Sequence, residues 1–365
     1  MKLGPRHYVP VLKVKRNEKA ALQEIPPRFH RRIVPLLEVV QRNPNAGADR
    51  TLEQHLATAF KGLADSVRPY PRCFLDAREL EGEGDPAAVE VFERAQAAGM
   101  NFVPVTGLHR RAGVRAALDH CDRGVALRLT RREFESGELG RDIERFLVTS
   151  RVDPGEVDLI LDMEDVVTMV PAGVERLARE FLEAVPRKME WRNLILSGCA
   201  FPMGLGKIQA HSHEKVTRSE WLAWRALVDS CRGEVERLPT FSDCGIQHPA
   251  GVEGFDPRVM PVSPSIRYAL EDAWLIIKGE SGRRVPMPEQ FRNLAGRLVD
   301  GDLRKFFAGE AHCGGCADVR RCADGEGRLG SPGPWRRVGT VHHVTVVMDS
   351  LDRLPEPEGA RRPRR

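Results

Sequence analysis

The sequence lacks the features that would place the protein in a membrane. No apolar run among its 365 residues approaches the ~20 residues that a membrane-spanning helix needs. The opening, MKLGPRHYVP, lacks the apolar centre of a signal peptide. Charged residues make up 30% of the chain, above the roughly 25% of an average soluble domain. We therefore predict a cytoplasmic protein with no membrane contact.

Two common catalytic signatures are also missing. The chain has no Gly-x-Ser-x-Gly motif, so a serine nucleophile is not expected. Gly206-Lys207 is followed by Ile208 instead of Ser or Thr, which leaves a phosphate loop incomplete. Only three tyrosines and five tryptophans are available to stack on sugars, so a carbohydrate-active barrel with a carboxylate pair is the weakest alternative.

The charge balance does not by itself indicate nucleic-acid binding. The chain has 56 basic and 52 acidic residues, a net charge of +4. Residues 356–365 form a locally basic end, which we predict to be a disordered tail. An arm that contacts nucleic-acid phosphates is the alternative interpretation.

What the sequence does contain is a series of eight short apolar segments, most of them separated by an amphipathic helix. These segments are residues 8–15, 33–40, 73–79, 101–108, 124–130, 157–165, 193–200 and 238–245. Repeated apolar strands with intervening helices indicate a parallel sheet, and eight units predict an α/β fold of the (β/α)8 TIM-barrel type. We predict the barrel over residues 1–250 and a carboxyl-terminal extension, packed on it, over 251–355.

The predicted strands end in ionisable residues. These are Lys13, Glu38, Asp76, Arg78, Arg128, Asp162 and Asp243. Because side chains alternate along a strand, the charged residue two positions after an apolar one shares its face, and we expect these residues to converge at the barrel mouth. The carboxylates could bind Mg²⁺ or Mn²⁺ or act as general acids and bases, while Lys13, Arg78 and Arg128 could hold an anion. A salt-bridge network without catalysis is the alternative.

Three further residues lie near the ends of the last strands. Ser197 and Ser242 could donate hydrogen bonds to an anion, because the last two loops of such barrels often bind phosphate. His248 follows Asp243 by five residues and is a candidate proton carrier, although a solvated or hydrogen-bonded histidine is the commoner case.

The extension carries a cluster of cysteines. Cys313 and Cys316 form a Cys-x-x-Cys pair, Cys322 follows six positions later, and His312 precedes the pair. Three thiolates and one imidazole are a ligand set that suits a structural zinc ion, with His342 or His343 as other candidates for the fourth ligand. Ordinary thiols in a glycine-rich loop are the alternative. Elsewhere in the extension, residues 266–280 predict two short strands or a hairpin, residues 287–300 a helix, and residues 335–351 a strand or a helix.

Several ordered blocks resemble a known family. They are YVPVLKVK, IVPLLEV, LDARE, LDMED, FSDCGIQHP, IRYALEDAWLIIKGE and WRRVGTVHHVTVV. This series, from Tyr8 to about Val347, is similar to the beta protein family, which is named after a protein of T-even bacteriophages and has members in bacterial genomes. The resemblance implies a phage-related or phage-defence setting. It assigns no catalytic residue.

We therefore expect an enzyme, for example a metal-assisted hydrolase, that acts on a small phosphorylated or nucleotide-like ligand at the barrel mouth. The alternative is a non-catalytic binding or sensor module of a phage-conflict system, with a protein partner or a nucleic acid held by the basic tail.

Overall fold

The computed structural model describes residues 1–42, 51–84, 86–230, 237–251, 262–327 and 329–355, and it contains a closed eight-stranded parallel barrel. In chain order the barrel strands are β1 (Tyr8–Lys13), β2 (Leu36–Glu38), β3 (Cys73–Asp76), β4 (Phe102–Thr106), β5 (Val125–Leu129), β6 (Val157–Asp165), β7 (Asn193–Cys199) and β9 (Thr240–Asp243). Each of the eight apolar segments forms one of these strands, which confirms the predicted (β/α)8 fold.

Helices surround the barrel and continue into the extension. They are α1 (Arg16–Glu24), α2 (Leu52–Phe60), α3 (Leu63–Val67), α4 (Pro86–Ala97), α5 (Arg111–Asp119), α6 (Arg131–Glu135), α7 (Leu139–Ser150), α8 (Pro171–Ala184), α9 (Ser219–Ser230), α10 (Met287–Val299), α11 (Gly314–Ala323) and α12 (Pro332–Asp352). None of the helices in these described ranges is long and apolar enough to cross a membrane. The basic end predicted over 356–365 lies outside the described residues.

The barrel interior follows from strand alternation. Its apolar side chains form a separate buried cluster that includes Val11, Phe74, Ala126 and Ile160. The opposite faces of the same strands pack against the helices. The residue two positions beyond each of these interior apolar residues therefore also points inward, at the carboxyl end of its strand. We call this end of the barrel the mouth.

The barrel and the extension share elements. Residues 200–218, between β7 and α9, contribute strand β8 (His213–Thr217) to a second, antiparallel sheet in the order β10–β11–β8. The predicted hairpin supplies its other strands, β10 (Ser265–Ala269) and β11 (Ala273–Lys278). Residues 335–351, predicted to be a strand or a helix, form most of helix α12. Val344, Val347 and Met348 of this helix join the outer barrel core, whereas its earlier residues join the core of the extension.

Two close approaches hold α12 in place. A Cβ atom on Gly339 would lie 2.6 Å from Cδ1 of Ile246 and 3.0 Å from the carbonyl oxygen of Arg267. A Cβ atom on Gly315 of α11 would lie 2.5 Å from the carbonyl oxygen of Val338. Only glycine therefore allows these backbones to pack at their observed separation.

We predict that Gly339→Ala destabilises the protein by about 1–3 kcal/mol, because overpacking outweighs the helix propensity that alanine adds. Gly296→Ala in α10 is the matched control, since a Cβ there would have no neighbour within 4 Å. Urea unfolding of both variants measures the difference, and equal or higher stability of Gly339→Ala would contradict it.

Candidate functional site at the barrel mouth and a thiol–imidazole cluster

One fully buried guanidinium lies at the centre of the mouth. Nη1 of Arg128, from β5, donates to Oε1 of Glu38 at 2.7 Å and to Oδ2 of Asp76 at 2.9 Å. Its Nε donates to Oδ2 of Asp162 at 2.9 Å, and its Nη2 lies 2.7 Å from the same oxygen. Arg128 thus joins carboxylates from β2, β3 and β6. A buried charge is tolerated only when it is paired, and here a single arginine pairs with three buried carboxylates.

Further cations complete this arrangement. Nη1 of Arg110, in the loop after β4, lies 2.8 Å from Oδ1 of Asp76, and Nζ of Lys13 lies 2.5 Å from Oε2 of Glu38. Although burial opposes ionisation, Arg128 and Lys13 hold the pKa of Glu38 far below its usual range. Arg110 and Arg128 likewise lower the pKa of Asp76 against the effect of burial. These carboxylates are ionised at neutral pH.

Arg78 is the least engaged cation of this group. Strand β3 ends at Asp76, and Arg78 opens a 3₁₀ turn (Arg78–Glu83). Its Nη1 lies 3.5 Å from Oδ2 of Asp162 and its Nε 4.0 Å from Oε1 of Glu38, and a quarter of its side chain is exposed. We refer to Lys13, Glu38, Asp76, Arg78, Arg110, Arg128 and Asp162 as the mouth cluster.

The structure places Asp243 outside the mouth cluster, contrary to the prediction. Strand register pairs Ser242 with Ser197 and with Val9, so Ser242 faces inward and Asp243 faces the helices. There Asp243 accepts a 2.5 Å hydrogen bond from the phenol of Tyr8 and lies 3.0 Å from Nε2 of His343 on α12. The physical reason is the strand alternation itself, which the sequence reveals only relative to the neighbouring strand.

Glu220 extends this second, outward group of polar residues. Burial, followed by the nearby charge of Asp243, raises the pKa of Glu220 to about 8. Arg218 lies 3.4 Å from Asp243 and supplies positive charge. The group is buried among α9, α12, β1 and β9, at the seam where the barrel closes.

The other predicted mouth residues, Ser197, Ser242 and His248, lie apart from the mouth cluster. Ser197 and Ser242 face each other with a hydroxyl–hydroxyl hydrogen bond of 3.2 Å, and both are buried. His248 is nearly buried, with Nε2 3.2 Å from Oδ2 of Asp165 at the end of β6. Neither the serine pair nor His248 contacts a member of the mouth cluster among the described hydrogen bonds and ion pairs.

Glu164 is a mouth residue that sequence reasoning did not select. It has a left-handed backbone with φ of 54°, which is rare for a residue other than glycine. Its N–H donates to Oδ1 of Asp162 at 2.9 Å. Burial and then the charge of Asp162 raise the pKa of the Glu164 carboxyl. Strained residues with raised pKa values at the ends of barrel strands are typical of functional sites.

A cavity of about 270 Å³ adjoins the mouth cluster between the loops after β3 and β4. Its charged lining consists of Arg78, Arg110 and Arg111 against Glu81, with His109 beside them. The first residues of α5 form one wall, so the positive end of that helix faces the cavity. The hydroxyl of Thr106, near the position that a Cβ on Gly113 would occupy, is buried without a hydrogen-bond partner.

A second cluster lies in the extension. Metal-ligating atoms of Cys313, Cys316 and His342 lie within 4.8 Å of one another, and all three residues are buried. Nδ1 of His342 is 3.7 Å from Sγ of Cys313 and 3.3 Å from Sγ of Cys316. Hydrogen bonding from Cys316, with a further contribution from His342, lowers the pKa of Cys313 to about 4. We call these three residues the thiol–imidazole cluster.

The cluster differs from the predicted ligand set in two positions. Cys322 lies six residues after Cys316 on α11, about 240° further around the helix, and packs in the extension core instead. His342 takes its place because α12 runs past the amino-terminal end of α11. His312 lies beside the cluster, its ring centroid 5.4 Å from that of His342.

The mouth cluster does not have the arrangement of a hard-cation site. Within the described ranges, the thiol–imidazole cluster is the sole group of three ligand residues with metal-binding spacing. The oxygens of Glu38, Asp76 and Asp162 instead contact guanidinium and ammonium groups. The donors gathered at the mouth are therefore suited to an anion, whereas Mg²⁺ or Mn²⁺ would have to displace these cations.

The fold and these clusters define a (β/α)8-barrel protein with an ionised mouth and a thiol–imidazole cluster in an attached extension. The chain belongs to the Beta protein family, whose model matches residues 8–349. The match confirms the resemblance and covers both the mouth cluster and the thiol–imidazole cluster. A comparison with curated proteins gives no match.

We predict that Arg128→Met lowers the free energy of unfolding by about 3–5 kcal/mol at pH 7, because it leaves three buried carboxylates without their shared cation. The folded-state pKa values of Glu38 and Asp76 are lowered, so their stabilisation is present above the unfolded-state pKa and is lost as the pH falls. The difference between wild type and variant should therefore narrow below about pH 4. Urea unfolding at several pH values measures this.

Arg145→Met is the control, since Arg145 is exposed and its ion pair is with Asp142 of the same helix. A constant difference between the Arg128→Met variant and wild type from pH 7 to pH 3 would contradict the charge argument.

Proposed function

We propose that the protein is an enzyme that acts on a small phosphorylated or nucleotide-like molecule bound at the barrel mouth. The observation that carries this proposal is the state of Arg78, a partly exposed guanidinium whose carboxylate contacts are 3.5 and 4.0 Å long. Arg128, by contrast, is saturated by three carboxylates and serves to position the site.

The residues that line the adjoining cavity support the proposal that the ligand is an anion. Three arginines and one glutamate line this cavity, and the amino-terminal residues of α5 line the same space. Arginine forks and helix N-termini are both suited to phosphate oxygens. A volume of about 270 Å³ fits a small metabolite better than a polymer.

Glu164 is our candidate for proton transfer. Its raised pKa brings the carboxyl closer to neutral pH, where a general acid or base works best. Its left-handed backbone holds it beside Asp162, at the edge of the mouth cluster. In this proposal Arg78 and Arg110 bind the anion, and Glu164 exchanges a proton with the bound molecule.

A non-catalytic binding module in a phage-conflict setting is the second candidate. The observation that favours it is that every carboxylate in the mouth cluster is paired with a cation. These paired carboxylates are poor proton donors and acceptors, so acid–base catalysis at the mouth would depend on Glu164. Such a module would bind the same anion without turnover.

We predict that Arg78→Gln weakens anion binding at least about tenfold, because it removes a charged hydrogen-bond donor from the mouth. The probes are inorganic phosphate, pyrophosphate and nucleoside mono- and diphosphates, tested by thermal shift and then by calorimetry. Arg141→Gln is the control, since Arg141 is exposed on α7 and pairs with Glu138.

The same probes separate the two candidates. Turnover that Glu164→Gln abolishes while binding persists would support the enzyme. Binding without turnover would support the module. Stabilisation by none of the probes, or equal loss in Arg78→Gln and Arg141→Gln, would contradict an anion site at the mouth.

We also propose that the thiol–imidazole cluster binds zinc. Two thiolates and an imidazole suit zinc, whereas Mg²⁺ and Mn²⁺ prefer oxygen ligands. We predict about one zinc ion per purified chain by elemental mass spectrometry, with loss of the ion in Cys316→Ser and retention in Cys322→Ser. Cys322 is the matched control, as a buried cysteine on the same helix outside the cluster.

A further inference from the structure

The thiol–imidazole cluster has the dimensions of three corners of a zinc tetrahedron. Zn–S and Zn–N bonds of about 2.3 and 2.0 Å place sulfur and nitrogen ligands roughly 3.6 Å apart at tetrahedral angles. The two sulfur–nitrogen distances in the cluster are 3.7 and 3.3 Å. Both distances are close to the separation that a tetrahedral zinc ion requires of its sulfur and nitrogen ligands.

The surroundings orient each of these ligands. Nε2 of His342 is 2.9 Å from the carbonyl oxygen of Ala269 and donates to it, which directs Nδ1 at the two sulfurs. The N–H of Cys316 donates to Sγ of Cys313 at 3.3 Å. The phenol of Tyr268 lies 3.2 Å from Sγ of Cys316. Hydrogen bonds of this kind hold thiolates and imidazoles in place around a metal.

A fourth ligand is needed, and His312 is placed to supply it. Its Nδ1 lies 3.7 Å from Oδ2 of Asp349 on α12, while its Nε2 is buried without a hydrogen-bond partner. An imidazole held by a carboxylate through one nitrogen and ligating through the other is the common arrangement at zinc sites. His312 also precedes Cys313 directly, and its ring centroid lies 5.4 Å from that of His342.

We propose that His312 is the fourth ligand and that Cys313, Cys316, His342 and His312 form a closed, structural zinc site. This inference rests on the proposed zinc binding and adds its coordination and role. A closed site excludes the ligand water that zinc hydrolases use, so the chemistry of the protein stays at the barrel mouth.

The ion would also fix α12 along its axis. His342 belongs to the cluster, and the next residue, His343, contacts Asp243 at the seam of the barrel. Zinc bound by residues from the segment before α11, from α11 and from α12 therefore fastens the extension to the barrel through one helix.

The test is cobalt substitution of the full chain, followed by chelator competition for zinc. Wild type should show the intense d–d absorption of four-coordinate Co²⁺ with two sulfur ligands. His312→Ala should lower zinc affinity at least about tenfold and change this absorption. His312→Cys should restore tight binding and add thiolate-to-cobalt charge-transfer intensity, which keeps the proposal testable if the alanine variant folds poorly. Cys322→Ser should match wild type in both measurements.

The outcomes separate the two claims. Absence of zinc and cobalt binding in wild type would overturn the zinc proposal and this inference with it. Zinc in wild type with unchanged affinity and an unchanged cobalt spectrum in His312→Ala would leave zinc binding in place and overturn His312 as the fourth ligand.

Discussion

The pairing of Arg128 with three carboxylates is the interaction on which the mouth of the barrel depends. Glu38, Asp76 and Asp162 come from three different strands and would repel one another in a buried space. One guanidinium, with donors in a planar fork, can neutralise and orient all three. The carboxylates in turn hold the outer cations at the entrance. The outer cations therefore lie at the mouth because they pair with the carboxylates buried beneath them.

The mouth cluster consists of an inner set of residues, whose charges are fully paired, and an outer set, which borders the cavity. The inner residues are saturated and exclude water, so they fix geometry. Arg78 and Arg110 lie further out and border the cavity, where a ligand can approach them. Glu164, the mouth carboxylate with a raised pKa and a left-handed backbone, lies beside Asp162. In the proposed function, the residues that bind the ligand and exchange a proton are those that the salt-bridge network contacts without satisfying all of their hydrogen-bonding groups.

Helix α12 links this barrel to its extension. Consecutive helical residues point about 100° apart, so His342 and His343 face different partners. His342 joins the thiol–imidazole cluster in the extension, and His343 reaches Asp243 on the last barrel strand. The helix is buried along most of its length, which explains why its sequence shows no amphipathic pattern.

The sequence by itself determined the barrel. Eight apolar segments ending in charge are a local pattern, and local periodicity depends only on residue order. It also determined that Glu38, Asp76, Asp162 and Arg128 point inward at one end. It predicted that Cys313 and Cys316 lie together, since a Cys-x-x-Cys pair is close in any turn.

Tertiary structure alone decided the remainder of each site. The inward or outward face of Asp243 depends on its register with two neighbouring strands, and a shift of one residue exchanges the faces. Arg110 joins the mouth cluster because a loop folds back over Asp76. His342 replaces Cys322 because two helices cross. Each of these contacts joins residues that are distant in sequence, and their distances are set by packing, which no local pattern records.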